Sequence, residues 1–409
     1  MPGLLNFTMA AKGLNTFRGY DRKNRPPGIR NAVLVISGDL CCNPWSKAIA
    51  APGDNCYALL HKHGVGNYAP DRILFRRLLS GITTHPNVAG FVFVSSGNED
   101  HAPEEVLADA QRAGVPFQVV SIKACASGGA LVRTGRRHAE RLVREAQRAK
   151  RVSFGMDRLR IGLNCAGTDA ASARSSNLVC SRAVDHLTAA GATVLLSETP
   201  DLFGVEEALL GRCASGADRK KLEEFFNSRR ARLAATGEKP DDLELISFNV
   251  DGGLKTLREK ARVSLLKAGT GPIREVIGYG ERPSASGLVF MDGPALTDFV
   301  LSGFLGAGAH LMLNTCGAGP ANAMPFAVGA DAPPPILPVF KITGSTASYR
   351  RRSNRMDFDA GAVLAGKESA EHAAQRLARR LVAVASGTAT RTEPAEDYLL
   401  SIPVLYPQA

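Results

Sequence analysis

The chain has no run of about 18 uncharged apolar residues, which argues against a membrane-spanning helix. The apolar stretch near its N-terminus is too short for a secretory leader, so the expected location is the cytoplasm. Its eight cysteines (41, 42, 56, 125, 165, 180, 213 and 316) form no CxxC pair and are too sparse for a secreted disulfide scaffold, so free and mostly buried thiols are expected. No complete GxGxxG turn follows the first strand candidate and no P-loop lysine motif is present, leaving a nucleotide-binding enzyme with only its βαβ pattern in support. Internal repeats and low-complexity tails are also missing.

What is present is an ordinary globular composition of 409 residues, 44% apolar and 22% charged, enough for at least two cores. The formal net charge of +11 suits anionic partners of several kinds. Much of the excess sits at 133–151 and 350–355, and in the first of these Glu140, Glu145 and alanines interleave with arginine at helical spacing. That is the pattern of a solvated helix face. No aromatic residues accompany these arginines as base-stacking would require, so nucleic acid is not expected as a partner.

The runs AVLVIS, FVFVSS (91–96) and FQVVSI (117–122) are short, apolar and β-rich, like strands buried on both faces of a parallel sheet. Between them, APDRILFRRLLSGIT and APEEVLADAQRAG space apolar residues by three and four, as crossover helices do. A long helix is predicted from Gly128 to Lys150. The pattern then restarts with LRIGLNCAG and continues through TVLLSE (193–198), SGLVFMD (286–292), HLMLNT (310–315) and PVFKIT (338–343). The resulting expectation is an α/β fold of two layered domains with mainly parallel sheets: an arm over 1–30, a first domain over 31–150 and a second over 151–409. The segment 319–338, rich in Ala, Gly and Pro, reads as an irregular excursion.

Ligands of open α/β sheets gather at the carboxyl ends of the strands, and polar residues recur there. Asn164-Cys165-Ala166-Gly167-Thr168-Asp169 offers a thiol, a hydroxyl and a carboxylate to a metal or an anion, although Thr168 and Asp169 also make ideal helix caps and Cys165 an ordinary core residue. His61 and His63, alternating before a glycine turn, would share a face and could ligate one metal, as surface histidines also do with no metal. Glu99 and Glu198 each follow a strand, where a carboxylate suits a general base, a cation ligand or a cap. Glu259-Lys260 and, two helical turns on, Lys267 could hold a substrate carboxylate, while Glu-Lys neighbours are also common on surfaces.

Taken in order, these segments resemble the altronate and galactarate dehydratase family, which also includes the large subunit of sulfolactate sulfo-lyase. The resemblance runs from Gly19-Tyr20-Asp21-Arg22 and Gly28-Ile29-Arg30-Asn31 through Cys41, His61, Gly64, Gly66, Gly97 and Glu99. It continues through Cys165 to Asp169, Ser197-Glu198-Thr199-Pro200, Asn249, Gly252-Gly253-Leu254, Glu259-Lys260 and Lys267. It closes on Asn314-Thr315, Lys341 and Met356-Asp357-Phe358-Asp359-Ala360-Gly361. The resemblance implies a lyase that removes water, or sulfite in one branch, from a sugar acid or small hydroxy-carboxylate. It also implies a divalent metal such as Fe²⁺ or Mn²⁺, a separate small β-rich subunit and an oligomeric assembly.

On the matching positions, Glu99, Lys260, Glu198 and Asp169 are expected to be catalytic. Thr168, Asn249, Lys267, Thr315 and Arg30 are expected to bind substrate, and His61 and Cys165 the metal, at a site between the domains. The sequence departs from the family pattern at Val65 and Asn98, where relatives carry cysteine, and at Asn314-Thr315-Cys316-Gly317, where they carry an arginine. Losing thiols points to a harder, oxygen-liganded metal or to none, and losing a bidentate clamp points to a different substrate. A catalytically silent homologue that binds a hydroxy acid or scaffolds a partner is the reading from another class.

Overall fold

A computed structural model describes residues 14–50, 55–317, 333–393 and 398–403, apart from the side chain of Asp241. The strands in chain order are β1 (Thr16–Tyr20), β2 (Ala32–Ser37), β3 (Cys56–Leu60), β4 (Val88–Ser95), β5 (Phe117–Ser121) and β6 (Arg151–Gly155). There follow β7 (Arg160–Gly167), β8 (Thr193–Leu196), β9 (Ile273–Ile277), β10 (Gly287–Met291), β11 (Leu311–Cys316), β12 (Val339–Thr343), β13 (Phe358–Asp359) and β14 (Tyr398–Leu399).

The fold is α/β with two parallel sheets. One has five strands in the order β14-β3-β2-β4-β5 and the other seven in the order β13-β12-β11-β7-β8-β10-β9. Strands β2, β11 and β12 are buried at every position, which is why they read as continuous apolar runs rather than alternating ones. Helices Asn43–Ala50 and Gly128–Gln147 cover one face of the five-stranded sheet. Helices Ser176–Ala189 and Ala370–Ala385 pack together on the far face of the seven-stranded sheet.

Between the sheets, helices Ala69–Thr83 and Thr297–Ala307 pack on each other inside one apolar cluster that takes Leu34, Ile36 and Phe93 from the first sheet and Val289, Met312 and Val339 from the second. A β-carbon on Gly81 would run into the backbone of Gly306, so the two helices meet glycine to glycine. The sheets thus share a core and hold their carboxyl edges in fixed positions.

Each strand predicted from the sequence is present, and the helix over APDRILFRRLLSGIT spans Ala69–Thr83. The helix predicted to reach Lys150 stops at Gln147, because the chain turns there into β6, which pairs antiparallel with β1. Residues 14–30 are therefore a structured arm, and β14 returns the last described segment to the first sheet beside β3. Residues 319–332 of the predicted excursion lie outside the described residues. Among the described residues no helix is long and apolar enough to cross a membrane. All eight cysteines are free, with five buried and Cys41 exposed.

Candidate active site

At the carboxyl edge of the seven-stranded sheet, β7 carries Cys165 near its end and runs into the turn that holds Thr168 and Asp169. Cys165 Sγ lies 2.9 Å from Thr168 Oγ1. Asn249 Nδ2 donates to the Thr168 carbonyl at 2.8 Å from a short helix, Ser247–Asp251, whose following Gly252 leaves room for the Asp169 side chain. Asp169 Oδ1 accepts from Ser172 N at 2.7 Å and Ser172 Oγ at 2.8 Å, so this carboxylate does cap the next turn. Thr315 on β11 pairs with Cys165 in register, and its hydroxyl faces the Asn164 carbonyl at 3.4 Å.

The neighbouring β8 delivers Glu198 in a left-handed conformation, φ 72°, that costs a β-carbon-bearing residue free energy and is usually kept where function holds it. Glu198 Oε2 lies 2.8 Å from Lys267 Nζ, with side chains 1% and 0% exposed. The ammonium also donates to Ser264 Oγ at 2.8 Å. Burial pushes the Glu198 carboxyl up to about 7 against the pull of Lys267. Burial works against the Lys267 ammonium too, but Glu198, by its charge and its hydrogen bond, outweighs it and holds the amine above its usual value. The pair titrates as one unit. Across the neutral range the ammonium keeps its proton, and the carboxyl is the group that changes.

A second, more open pair extends the cluster: Lys260 Nζ lies 2.8 Å from Asp201 Oδ1, with side chains 19% and 16% exposed. Asp201 and Lys260 both act through space on Glu198. Among the described residues, four buried side-chain atoms at this edge and the adjoining helix start have no hydrogen-bond partner: Asn164 Oδ1, Ser176 Oγ, Asn177 Oδ1 and Ser197 Oγ. Unpaired buried polar atoms are costly, and their gathering here suits a place where water or a polar ligand completes them.

The five-stranded sheet carries its own cluster. Asp39 follows β2 and caps the next turn through Cys41 N (2.8 Å) and Cys42 N (3.2 Å), while Ser96 Oγ donates to its other oxygen. Glu99 Oε1 accepts from Ser96 N at 2.8 Å. Asp39, Cys42 and Glu99 each bring one donor atom within 4.8 Å of the others, the one such acid, thiol or imidazole triple found among the described residues. Burial pushes the Cys42 thiol up to about 12, so it is poorly suited to act as a thiolate ligand at neutral pH.

His61 lies just past β3 with Nε2 at 2.7 Å from the Ser37 carbonyl and Nδ1 accepting from His63 N, so both ring nitrogens are engaged. Burial lowers it to about 4, so it is neutral. His61 lies just past β3 of the five-stranded sheet, and Cys165 lies on β7 of the seven-stranded sheet.

The structure therefore brings Cys165, Thr168, Asp169, Glu198, Asn249, Lys260, Lys267 and Thr315 to one sheet edge and leaves Glu99 and His61 on the other sheet. Arg30 joins neither group. Its guanidinium grips Glu393 in a two-point ion pair at 2.8 and 2.9 Å and donates to the carbonyls of Ile29, Val384 and Thr388, tying a distant segment of chain to the arm. Arg30→Met should therefore cost about 2–4 kcal/mol of stability, somewhat less than breaking a fully buried pair, and leave KM for any substrate within twofold. Urea unfolding and steady-state kinetics on the same preparation check both halves.

Residues absent from the sequence-based set are Asp39, Asp201 and Ser264. Asp39 bore the same signal as Glu198, an acid directly after an apolar strand. Asp201 and Ser264 acquire meaning only from the partners that folding brings to them.

Comparison with known proteins places these observations in a lineage. The family profile described as D-galactarate/Altronate dehydratase, C-terminal, matches residues 156–405. The one described as D-galactarate dehydratase/Altronate hydrolase, second domain, matches residues 19–147. The chain is 27% identical over 404 residues to an altronate dehydratase of Bacillus subtilis, covering 95% of this chain and 77% of the relative. An altronate dehydratase of Escherichia coli is 27% identical over 361 residues, 85% of this chain and 70% of the relative. The beta subunit of (2R)-sulfolactate sulfo-lyase from Chromohalobacter salexigens is 28% identical over 391 residues, 94% and 96% of the two chains.

Proposed function

The chain belongs to the D-galactarate/altronate dehydratase family, and on that premise we propose that it is a hydro-lyase that removes water from a small hydroxy-carboxylate at the carboxyl edge of the seven-stranded sheet. The observation that carries this reading is the buried Glu198–Lys267 pair, a carboxyl raised to about 7 and fixed in a left-handed turn beside the Lys260–Asp201 pair.

Elimination needs a base beside the carbon next to the substrate carboxylate, positive charge where the enediolate forms, and a proton for the departing hydroxyl. Glu198 takes the carbon-bound proton, and the electron pair moves into the substrate carboxylate. Lys267 keeps its charge and steadies the developing negative charge. As the carbon–oxygen bond at the next carbon breaks, Lys260 supplies the proton that turns hydroxide into water, and the enol left behind becomes a 2-keto acid. Thr168, Asn249 and Thr315 orient the substrate. Both ring nitrogens of His61 are already engaged, so no step is routed through a metal.

A base must be deprotonated to act, so the rate should rise as pH passes upward through the Glu198 value. The expected kcat/KM profile has an ascending limb with an apparent value near 7 that belongs to the coupled pair. A profile flat from pH 6 to 8 would remove Glu198 from the base role.

Sulfite elimination is the second reading, supported by the sulfo-lyase beta subunit that this chain matches over nearly its whole length. That relative's name also supports a separate partner subunit. The deciding assay offers altronate, galactarate and (2R)-sulfolactate, each with and without Fe²⁺ or Mn²⁺, and measures keto acid and free sulfite. Keto acid without sulfite is expected. Sulfite release would favour the second reading, and no product from any pairing would favour a silent homologue.

A further inference from the structure

Away from that edge, where the arm meets both sheets, four arginines crowd together without ion pairs among the described residues. Arg25 is 7% exposed and donates to the His85 carbonyl at 2.5 Å. Arg22 reaches the Pro86 carbonyl and Asn31 Oδ1. Arg282 donates to the Gly81 carbonyl at 3.1 Å and Thr84 Oγ1 at 2.6 Å. Arg160, the first residue of β7, donates through Nη2 to the Pro283 carbonyl at 3.3 Å, while its Nη1 is buried with no acceptor.

Three carboxylates act on them through space without pairing with them: Asp21 on Arg22, Asp109, held by Ser80 and Arg112, on Arg282, and Glu275, which accepts from Ser284 and Ala285, on Arg160. Burial lowers Arg25 to about 9 and Arg160 to about 10, with Arg282 adding like-charge repulsion to each.

Gly308 shows how closely two of these groups converge. A β-carbon there would sit 3.4 Å from Arg160 Nη1 and 3.8 Å from Arg282 Nε. Arg282 also lines a cleft of about 920 Å³ between the two sheets' helices, together with Asn24, Gly81 and Thr84. The other cations of the cleft have acidic partners: Arg76 meets Glu105, Arg112 meets Asp109, and Arg77 and Lys221 share Glu281. Arg282 and the arginines behind it have no ion pair among the described residues, so positive charge is in excess there. Guanidinium forks match the oxygens of a phosphate-type anion in shape and charge, and buried positive groups without a counter-charge are the setting in which such an anion contributes most.

We propose that the inter-sheet cleft binds a small phosphate-type oxyanion between Arg282 and Arg160, with Arg25 behind them. The anion would join Arg160 and Gly308 of the seven-stranded half to the arm and to Thr84 of the five-stranded half. The site lies toward the amino ends of β7 and β11, opposite the candidate active site, and does not depend on the lyase reading.

Equilibrium dialysis of radiolabelled inorganic phosphate against the full chain, at constant ionic strength in chloride, tests it. One phosphate retained per chain is expected, with a saturating rise in Tm of about 3 °C at high occupancy. Arg282→Gln, at an exposed position that should not impair folding, should weaken retention at least tenfold. Arg282→Lys, which keeps charge and loses the fork, should fall between. Absence of retained label on the native chain would overturn the proposal, as would unchanged affinity in Arg282→Gln together with Arg160→Gln.

Discussion

Replacing Lys267 by methionine should destabilise the protein by about 3–5 kcal/mol at pH 8, because it strands a fully buried carboxylate without its counter-charge. The loss should be smaller in acid. With the Lys267 ammonium gone, burial and Asp201 are opposed only by the more distant Lys260, so the folded value of Glu198 moves still further above the ordinary carboxylate value. A group raised on folding contributes fully below its unfolded value and loses that contribution as pH rises through the folded one. The Lys267→Met penalty should therefore grow between pH 5 and pH 8. Adding Glu198→Gln to Lys267→Met removes the orphaned charge and should return much of the stability, a coupling that a double-mutant cycle reads directly. Equal losses at both pH values, or a double variant no better than the single one, would mean that the two side chains are not paired.

The second large effect concerns rate. Glu198→Gln keeps the shape of the side chain and removes its basicity, so kcat should fall by about 10²–10⁴-fold, the usual contribution of a positioned base. Because that change also strands Lys267, the comparison belongs with the neutral double variant, whose fold is the better preserved. If the double variant keeps more than a tenth of native kcat, the proton is taken by some other group.

These expectations rest on a pairing that only the fold displays. Strand ends were legible in the sequence: Glu198 and Cys165 follow apolar runs buried on both faces, and such runs mark central parallel strands. The helix Ala69–Thr83 was equally plain from its apolar spacing. The edge strands β9 and β14 were not. β9 reads Ile-Arg-Glu-Val-Ile with polar residues in its middle, and β14 has two residues, too few for any periodicity. Long-range partners were invisible for a related reason. Lys260 meets Asp201 from 59 positions away, and Arg30 meets Glu393 from 363. Nothing local to Arg30 distinguishes an arginine waiting for a substrate carboxylate from one already holding a carboxylate of its own chain. Likewise the histidine pair looked like a ligand set because alternation puts side chains on one face. The chain leaves β3 before His61, whose ring nitrogens find backbone partners, the Ser37 carbonyl at the end of β2 and His63 N in the turn.

Two acidic clusters at two sheet edges compete for the chemistry, and a single comparison separates them. Proton NMR in D₂O can follow loss of the hydrogen next to the substrate carboxylate, together with keto-acid formation, for the native chain, Glu198→Gln in the Lys267→Met background, and Glu99→Gln. Loss of both signals by at least 100-fold at Glu198, with Glu99→Gln retaining most of the native rate, is the result that a site on the seven-stranded sheet requires. The reverse pattern, with Glu99→Gln inactive and the Glu198 variant near native, would place the reaction on the five-stranded sheet beside Asp39 and contradict the account.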